Sequence, residues 1–77
     1  MTLQIIASML GEIIGVPESD LNGRTPLTPE YYIEPIDVAK LMIEIEKRFE
    51  LTIYDEVVHT FSTLNDVAEY VEGLIAE

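Results

Sequence analysis

Apolar residues recur at three- and four-residue spacing in three separate stretches of the chain, which is the period of a helix that buries one face. The first stretch covers residues 3–14, between Thr2, a residue type that caps helices, and Gly15, a type that ends them. The second covers residues 35–49 and the third runs from residue 64 to the end of the chain. We therefore predict three long helices, each apolar on one side.

Local signals mark where the second and third long helices begin. Pro35 has the fixed φ and missing N–H that suit a first helical turn, and Glu34 lies just before it, near the positive end of the helix dipole. Thr63 and Asp66 have the spacing of a capping box. The second helix is expected to end where residues 50–53 become rich in β-branched side chains.

The segments between the long helices have different characters. Residues 15–35 hold all four prolines and show no helical period, which predicts a long ordered loop. Residues 55–60 form a short helical candidate that needs packing to be stable. The loop also contains apolar side chains that we expect to pack on the bundle: Leu21, Leu27, Tyr31, Tyr32 and Ile33.

Together these elements predict an all-α fold. We expect a small four-helix bundle with three long helices, a short third helix and a long loop after helix one, forming a single domain over residues 1–77. Each apolar helix face must be buried against the others. Phe49, Phe61 and several tyrosines are further core candidates.

Composition narrows the classes of function. Fifteen acidic and four basic residues give a formal net charge of −11, which disfavours a nucleic-acid role because binding to phosphates depends on Lys and Arg. The sequence has no apolar run long enough for a membrane span and no start typical of a secretory signal, so we expect a cytoplasmic protein without a membrane role. Its acidic surface favours a monomer.

The titratable residues do not form a recognisable reactive centre. His59 is the single histidine and the sequence has no cysteine, so no transition-metal site can be assembled from these ligands. Asp55 and Glu56 are adjacent and point in different directions at a helix start, where the dipole explains them better than acid-base chemistry. We therefore predict no enzymatic activity, no catalytic residue, no metal and no cofactor.

Three motifs occur in order along the chain. The second helix begins Glu34-Pro35-Ile36-Asp37, the third is preceded by Ile53-Tyr54-Asp55-Glu56, and the fourth reads Thr63-Leu64-Asn65-Asp66-Val67. They resemble the Asp-Ser-Leu/Ile-Asp, Ile-Pro-Asp-Glu and Thr-Val-x-Asp motifs of acyl and peptidyl carrier proteins. The resemblance spans nearly the whole chain and implies the helical bundle of that family.

Carrier proteins hold their cargo on a phosphopantetheine arm esterified to the serine of the first motif. The resemblance puts Pro35 at that position, and proline has no side-chain nucleophile. Ser8, Ser19 and Ser62 do not lie in a similar motif. We therefore expect no phosphopantetheine on this chain.

The same resemblance implies a partner-binding surface on the second helix. Partner enzymes of the family touch apolar residues that map onto Ile36, Ala39 and Ile43, which form one stripe apart from the core positions. We add to this surface the charged neighbours Asp37, Lys40 and Lys47 and, from the short third helix, Val57. The alternative is a helix that is simply buried on more sides.

Our leading hypothesis is a docking or scaffold protein that binds a biosynthetic or peptide-modifying enzyme without carrying a thioester, similar to the carrier-related proteins of peptide maturation systems. One alternative is a genuine acyl or peptidyl carrier protein in which the attachment serine at position 35 has been replaced. Another is a bundle that encloses free acyl chains in its core. Three of the four basic residues lie between Ile36 and Phe49, so the second helix is formally neutral, whereas in the family it is typically acidic.

Overall fold

The computed structural model describes residues 2–31 and 33–76 of the chain and confirms the all-α fold. The part described contains no strand, only an isolated antiparallel bridge between Pro26 and Thr63. The four α-helices are α1 (Thr2–Ile14), α2 (Pro35–Phe49), α3 (Asp55–Val58) and α4 (Leu64–Ala76), and the long loop holds two short 3₁₀ turns, Glu18–Asp20 and Pro29–Tyr31. No helix in these described ranges is long and apolar enough to cross a membrane.

Two helix boundaries differ from the prediction. Thr2 lies inside α1 and does not precede it as a cap. The short helix ends at Val58, two residues before the predicted Thr60. The N–H groups of Thr60 and Phe61 bond to the carbonyl three residues back, as in a 3₁₀ turn, and not four residues back as in an α-helix. The Thr60 N–H donates to the Val57 carbonyl at 2.9 Å, and the Phe61 N–H donates to the Val58 carbonyl at 3.2 Å.

A single cluster of buried apolar side chains forms the core, and α1 packs against both α2 and α4 around it. The long loop contributes Leu21 and Ile33 to this cluster, as predicted, while Leu27 is half-buried against it. Tyr32 and the Tyr31 side chain, also expected to pack there, lie outside what the structure describes. The cluster consists of Ile6, Ala7, Leu10, Leu21, Ile33, Leu41, Met42, Ile45, Ile53, Leu64, Val67, Ala68 and Val71.

None of the aromatic side chains that the structure describes is fully buried in this core. Phe49 and Phe61 are half-buried, and the rings of Phe61 and Tyr70 meet edge to face with centroids 5.7 Å apart. Tyr54 is exposed. Aliphatic side chains therefore fill the centre of the bundle, and Phe49, Phe61 and Tyr70 pack at its margin.

The start of α4 is held by the predicted reciprocal cap. The Asp66 carboxylate accepts hydrogen bonds from the Ser62 N–H at 2.7 Å and the Thr63 N–H at 3.1 Å. In return, the Asp66 N–H donates to the Thr63 hydroxyl oxygen at 3.4 Å. Donors that a helix start would otherwise leave unpaired are thereby satisfied.

The long loop is fastened to this same helix start by its backbone. The Leu64 N–H donates to the Thr25 carbonyl at 3.1 Å, and the Asn65 N–H donates to the Gly23 carbonyl at 2.8 Å. In the opposite direction, the Leu27 N–H donates to the Ser62 carbonyl at 2.9 Å. These bonds fix the path by which the loop leads into α2.

Gly11 controls how the chain leaves α1. The N–H groups of Gly15 and Val16 both donate to its carbonyl, at 2.8 and 3.0 Å, so the chain folds back over this residue. A Cβ at position 11 would lie 2.7 Å from the Val16 carbonyl oxygen, which is a backbone atom that cannot rotate away. Gly15 has a φ of 76°, a conformation that glycine adopts without steric cost.

We predict that Gly11→Ala lowers the free energy of unfolding by about 1–3 kcal/mol, because the added methyl group overpacks the turn after α1. Gly73→Ala is the matched control, since a Cβ at this exposed helical glycine meets nothing within 4 Å. It should raise stability by up to about 1 kcal/mol through helix propensity. Urea unfolding followed by circular dichroism measures both effects, and equal stabilities for the two variants would contradict the proposed clash.

Candidate docking site on the second helix

The start of α2 carries an internal cap. Glu34 precedes the helix in an extended conformation, with φ −83° and ψ 159°, and Pro35 is the first helical residue. The Asp37 carboxylate accepts a hydrogen bond from the Glu34 N–H at 2.9 Å. The Glu34 carbonyl in turn accepts from the N–H groups of Asp37 at 2.9 Å and Val38 at 3.2 Å. Asp37, predicted to bind a partner, thus has a structural role at the helix start.

The exposed residues at this helix start offer no hydroxyl group. Glu34, Pro35 and Ile36 are exposed and Asp37 is half-buried, so the first turn presents carboxylates and apolar groups. A phosphopantetheine arm is attached through a serine hydroxyl, and these four residues do not fit that chemistry. The chain's three serines lie elsewhere, in α1, in the first 3₁₀ turn and just before α4.

One face of α2 points away from the bundle. Ile36, Lys40, Ile43 and Lys47 follow one another at spacings of four, three and four residues and form a single stripe, which we call the α2 crest. Ile36 is 63% exposed and Ile43 is 51% exposed, so the crest presents two large apolar side chains to solvent. Ala39 is exposed beside this crest.

The opposite face of α2 enters the core. Leu41, Met42 and Ile45 are buried, and Val38 and Phe49 are half-buried against the same core. The structure therefore separates the predicted docking stripe from the predicted core stripe. The alternative in which α2 is buried on more sides does not describe this helix.

Charge is balanced along α2, with three acidic and three basic residues. Lys40, Lys47 and Arg48 are exposed, and none of them forms an ion pair within the described parts of the chain. Glu46 differs, since its carboxylate accepts a hydrogen bond from the Ile53 N–H at 2.9 Å and holds the segment that leads to α3. The basic side chains of α2 are thus available to contact another molecule.

An apolar groove of about 630 Å³ lies on the α3 side of the crest. Ala39 and Ile43 form its α2 wall, and Val58 and His59 lie on the opposite side. Val57, predicted to belong to the partner surface, does not line this groove and packs half-buried against the core. Other lining residues come from the long loop and the segment before α3: Leu27, Pro29, Ile33 and Ile53.

His59 and the neighbouring acidic residues do not form a metal centre. His59 is exposed just after α3, and Asp55 lines the same groove. Within residues 2–31 and 33–76, no group of three or more His, Cys, Asp or Glu side chains is arranged to hold a metal ion.

The helical bundle agrees with the family of proteins to which the sequence is similar. Residues 4–71 match the family model described as "Phosphopantetheine attachment site", and the chain belongs to this family. It is 28% identical over 72 residues to an acyl carrier protein of Phytoplasma mali (strain AT), covering 94% of this chain and 86% of that protein. It is 26% identical over 76 residues to an acyl carrier protein of Phytoplasma australiense, covering 99% of this chain and all of that protein.

A more distant relative is an acyl carrier protein of Acidothermus cellulolyticus (strain ATCC 43068 / DSM 8971 / 11B), 23% identical over 66 residues. That match covers 86% of this chain and 79% of the relative. The chain is therefore a member of the acyl carrier protein family, and acyl carrier proteins interact with partner enzymes.

Sequence reasoning missed the groove residues contributed by the region of α3. Asp55, Val58 and His59 line the groove, whereas the residue proposed from this helix was Val57. Val58 and His59 lie three and four residues after Asp55, a helical spacing that is visible in the sequence. In a helix of four residues, however, no apolar period is long enough to define a face.

Proposed function

We propose that this protein is a docking or scaffold member of the acyl carrier protein family that binds an enzyme through α2 and carries no phosphopantetheine thioester. The observation that carries the proposal is Pro35 as the first residue of α2. Carrier proteins have their attachment serine at this helix start, and the proline ring offers no hydroxyl group to esterify. In this proposal the protein keeps the helical bundle of the carrier proteins but lacks the serine to which they attach the arm.

The α2 crest supports a docking role. Its two exposed isoleucines give it apolar contact area, and Lys40 and Lys47 alternate with them. Few residues usually carry most of the energy of an interface, and such residues lie at the centre of an apolar patch. We propose Ile36 and Ile43 as these anchors, with Ala39, Lys40 and Lys47 around them.

The partner is proposed to differ from the enzymes that act on ordinary acyl carrier proteins. A basic enzyme surface that suits an acidic second helix would meet Lys40, Lys47 and Arg48 here, and like charges at an interface disfavour binding. We propose an enzyme of a biosynthetic or peptide-modifying pathway as the partner. The strong overall negative charge favours a monomer that meets this enzyme one to one.

The absence of the arm is directly measurable. After incubation with a broad-specificity phosphopantetheinyl transferase and coenzyme A, we expect the intact mass of the chain to be unchanged. An authentic acyl carrier protein in a parallel reaction controls for transferase activity. A stoichiometric mass gain on the natural chain would refute the proposal, and a serine at position 35 in the natural gene would favour the alternative of a replaced attachment residue.

The docking surface can be tested by charge insertion. The partner is recovered by pull-down with the natural chain, and its affinity is then measured for Ile36→Asp and Ile43→Asp, which should each bind at least about tenfold more weakly because an anchor becomes a buried charge. Ile75→Asp is the matched control, since Ile75 is 54% exposed on α4. It should bind like the natural chain.

Folding must be intact in all three variants for this comparison, and their circular dichroism spectra check this. If Ile36→Asp and Ile43→Asp bind the partner as tightly as Ile75→Asp does, the docking face is not on α2. Asp37 is unsuitable for the same test because its carboxylate caps the helix.

The apolar groove on the α3 side of the crest favours a second candidate function, the binding of free acyl chains. Its volume of about 630 Å³ and its largely apolar walls fit a ligand of this class. Delipidated protein should then release or absorb heat on titration with a medium-chain fatty acid. Ala39→Trp, which narrows the groove from an exposed position, should abolish that heat, and the absence of any heat with the natural chain would exclude this candidate.

A further inference from the structure

A second groove lies on the other side of the α2 crest, between α1 and α2. It consists of two adjoining hollows of about 690 and 370 Å³ that share Met9, Glu12 and Glu44. The larger hollow lies between Ile5 of α1 and the end of α2, at Lys47 and Arg48. The smaller hollow lies between Ile13 of α1 and the middle of α2, at Lys40 and Ile43. The two helices therefore run antiparallel along this feature, which we call the α1–α2 groove.

Three apolar side chains line the α1 side of the α1–α2 groove, together with the polar residues Gln4 and Ser8. Ile5, Met9 and Ile13 follow one another at four-residue spacing on one side of α1, separate from the fully buried Ile6 and Leu10. All three are only partly buried, so the bundle leaves some of the apolar face of α1 uncovered. At a rise of about 1.5 Å per residue, the span from Ile5 to Ile13 is about 12 Å, or about two helical turns.

The two rims of the groove differ in charge. The α2 rim carries Lys40, Lys47 and Arg48 beside a single acid, Glu44. The opposite rim carries Glu12 from α1 and Glu18 from the loop, and no basic residue lines it.

Outside this groove, acidic residues greatly outnumber basic ones. The chain has 15 acidic and 4 basic residues; removing the three acidic and three basic residues of the groove leaves 12 acidic residues and one basic residue, Arg24. Nearly all the positive charge of a strongly acidic protein is thus gathered along one side of one groove. Acidic groups on another molecule find their complement there.

We infer that the α1–α2 groove binds an amphipathic helix of a partner protein, with the helix's apolar stripe on Met9 and Ile43 and its acidic residues against Lys40, Lys47 and Arg48. A groove between two antiparallel helices accepts a third helix in the way that helical bundles pack. This inference rests on the proposed docking function and adds to it the chemistry of the partner. Ile43 borders both the crest and this groove, so one partner can contact the two together.

The test uses two synthetic peptides as probes against the full chain. Both have about sixteen residues with leucines at three- and four-residue spacing; one carries glutamates along one flank, and the other carries lysines at the same positions. Heteronuclear NMR of the isotope-labelled chain locates binding. We expect the acidic peptide to shift backbone amides over residues 5–13 and 40–48, and the basic peptide to leave these amides unshifted.

Charge-reversed variants separate the α2 rim from general electrostatics. Lys47→Glu combined with Arg48→Glu should weaken binding of the acidic peptide at least about tenfold. Arg24→Glu is the matched control, because it reverses the one basic residue outside the groove, and it should leave the affinity unchanged within about twofold. Both variants change exposed side chains, and thermal unfolding checks that the fold is retained.

Three results would overturn the inference. The basic peptide could shift the same amides, or the acidic peptide could bind in the groove beside α3. Sedimentation could also show a dimer of the natural chain that the variant with Lys47→Glu and Arg48→Glu no longer forms, which would mean that a second copy of the chain occupies the α1–α2 groove. Ile36→Asp distinguishes this inference from the proposed function. If the natural partner loses affinity with Ile36→Asp but not with the rim variant, docking through α2 stands and the role of the α1–α2 groove does not.

Discussion

The burial of one face of α2 is the constraint on which the other surfaces depend. Leu41 and Ile45 are completely withdrawn from solvent, and their place in the common core sets the rotation of α2 about its axis. With 3.6 residues per turn, that rotation leaves Ile36, Lys40 and Ile43 on the outside. The crest and the grooves on its two sides are therefore consequences of core packing and not of contacts among the surface residues themselves.

Hydrogen bonds fix the remaining elements relative to that helix. The loop carbonyls of Gly23 and Thr25 accept from the first backbone N–H groups of α4, so the loop and α4 form one connected structure. At the other end of α2, Glu46 accepts from the Ile53 N–H and places the segment before α3. The loop side of the apolar groove beside α3 is thus held by backbone bonds, and the α3 side by the bond to the Glu46 carboxylate.

The sequence predicted the long helices well because their signals are local. Pro35 sets the start of α2, and Thr63 with Asp66 sets the start of α4, through contacts between residues that are close along the chain. Thr2 is the first residue of α1 and not its cap, a difference of one residue at a helix end. The fold class followed from the apolar periods, since amphipathic helices in so short a chain must cover one another.

The site was predictable only in part. The spacing of Ile36 and Ile43 distinguished an outer stripe from the core stripe, and their exposure agrees with that separation. The grooves depend on how far α1 and α3 lie from α2, which no local pattern specifies. Val57 shows the difficulty: it and its neighbour Val58 both pack against the core, but only Val58 also lines the groove, because one residue along a helix turns a side chain by about 100°.

Pro35 has a consequence for regulation. A protein that accepts a covalent group exists in at least two chemical states, and each state can present a different surface to its partners. Under the proposed function, proline at the start of α2 leaves the docking surface in a single state at this position, so the arm does not alter the fraction of partner bound at a given concentration and affinity. Control of such a complex would then lie in how much of each protein the cell makes, or in changes made to the partner.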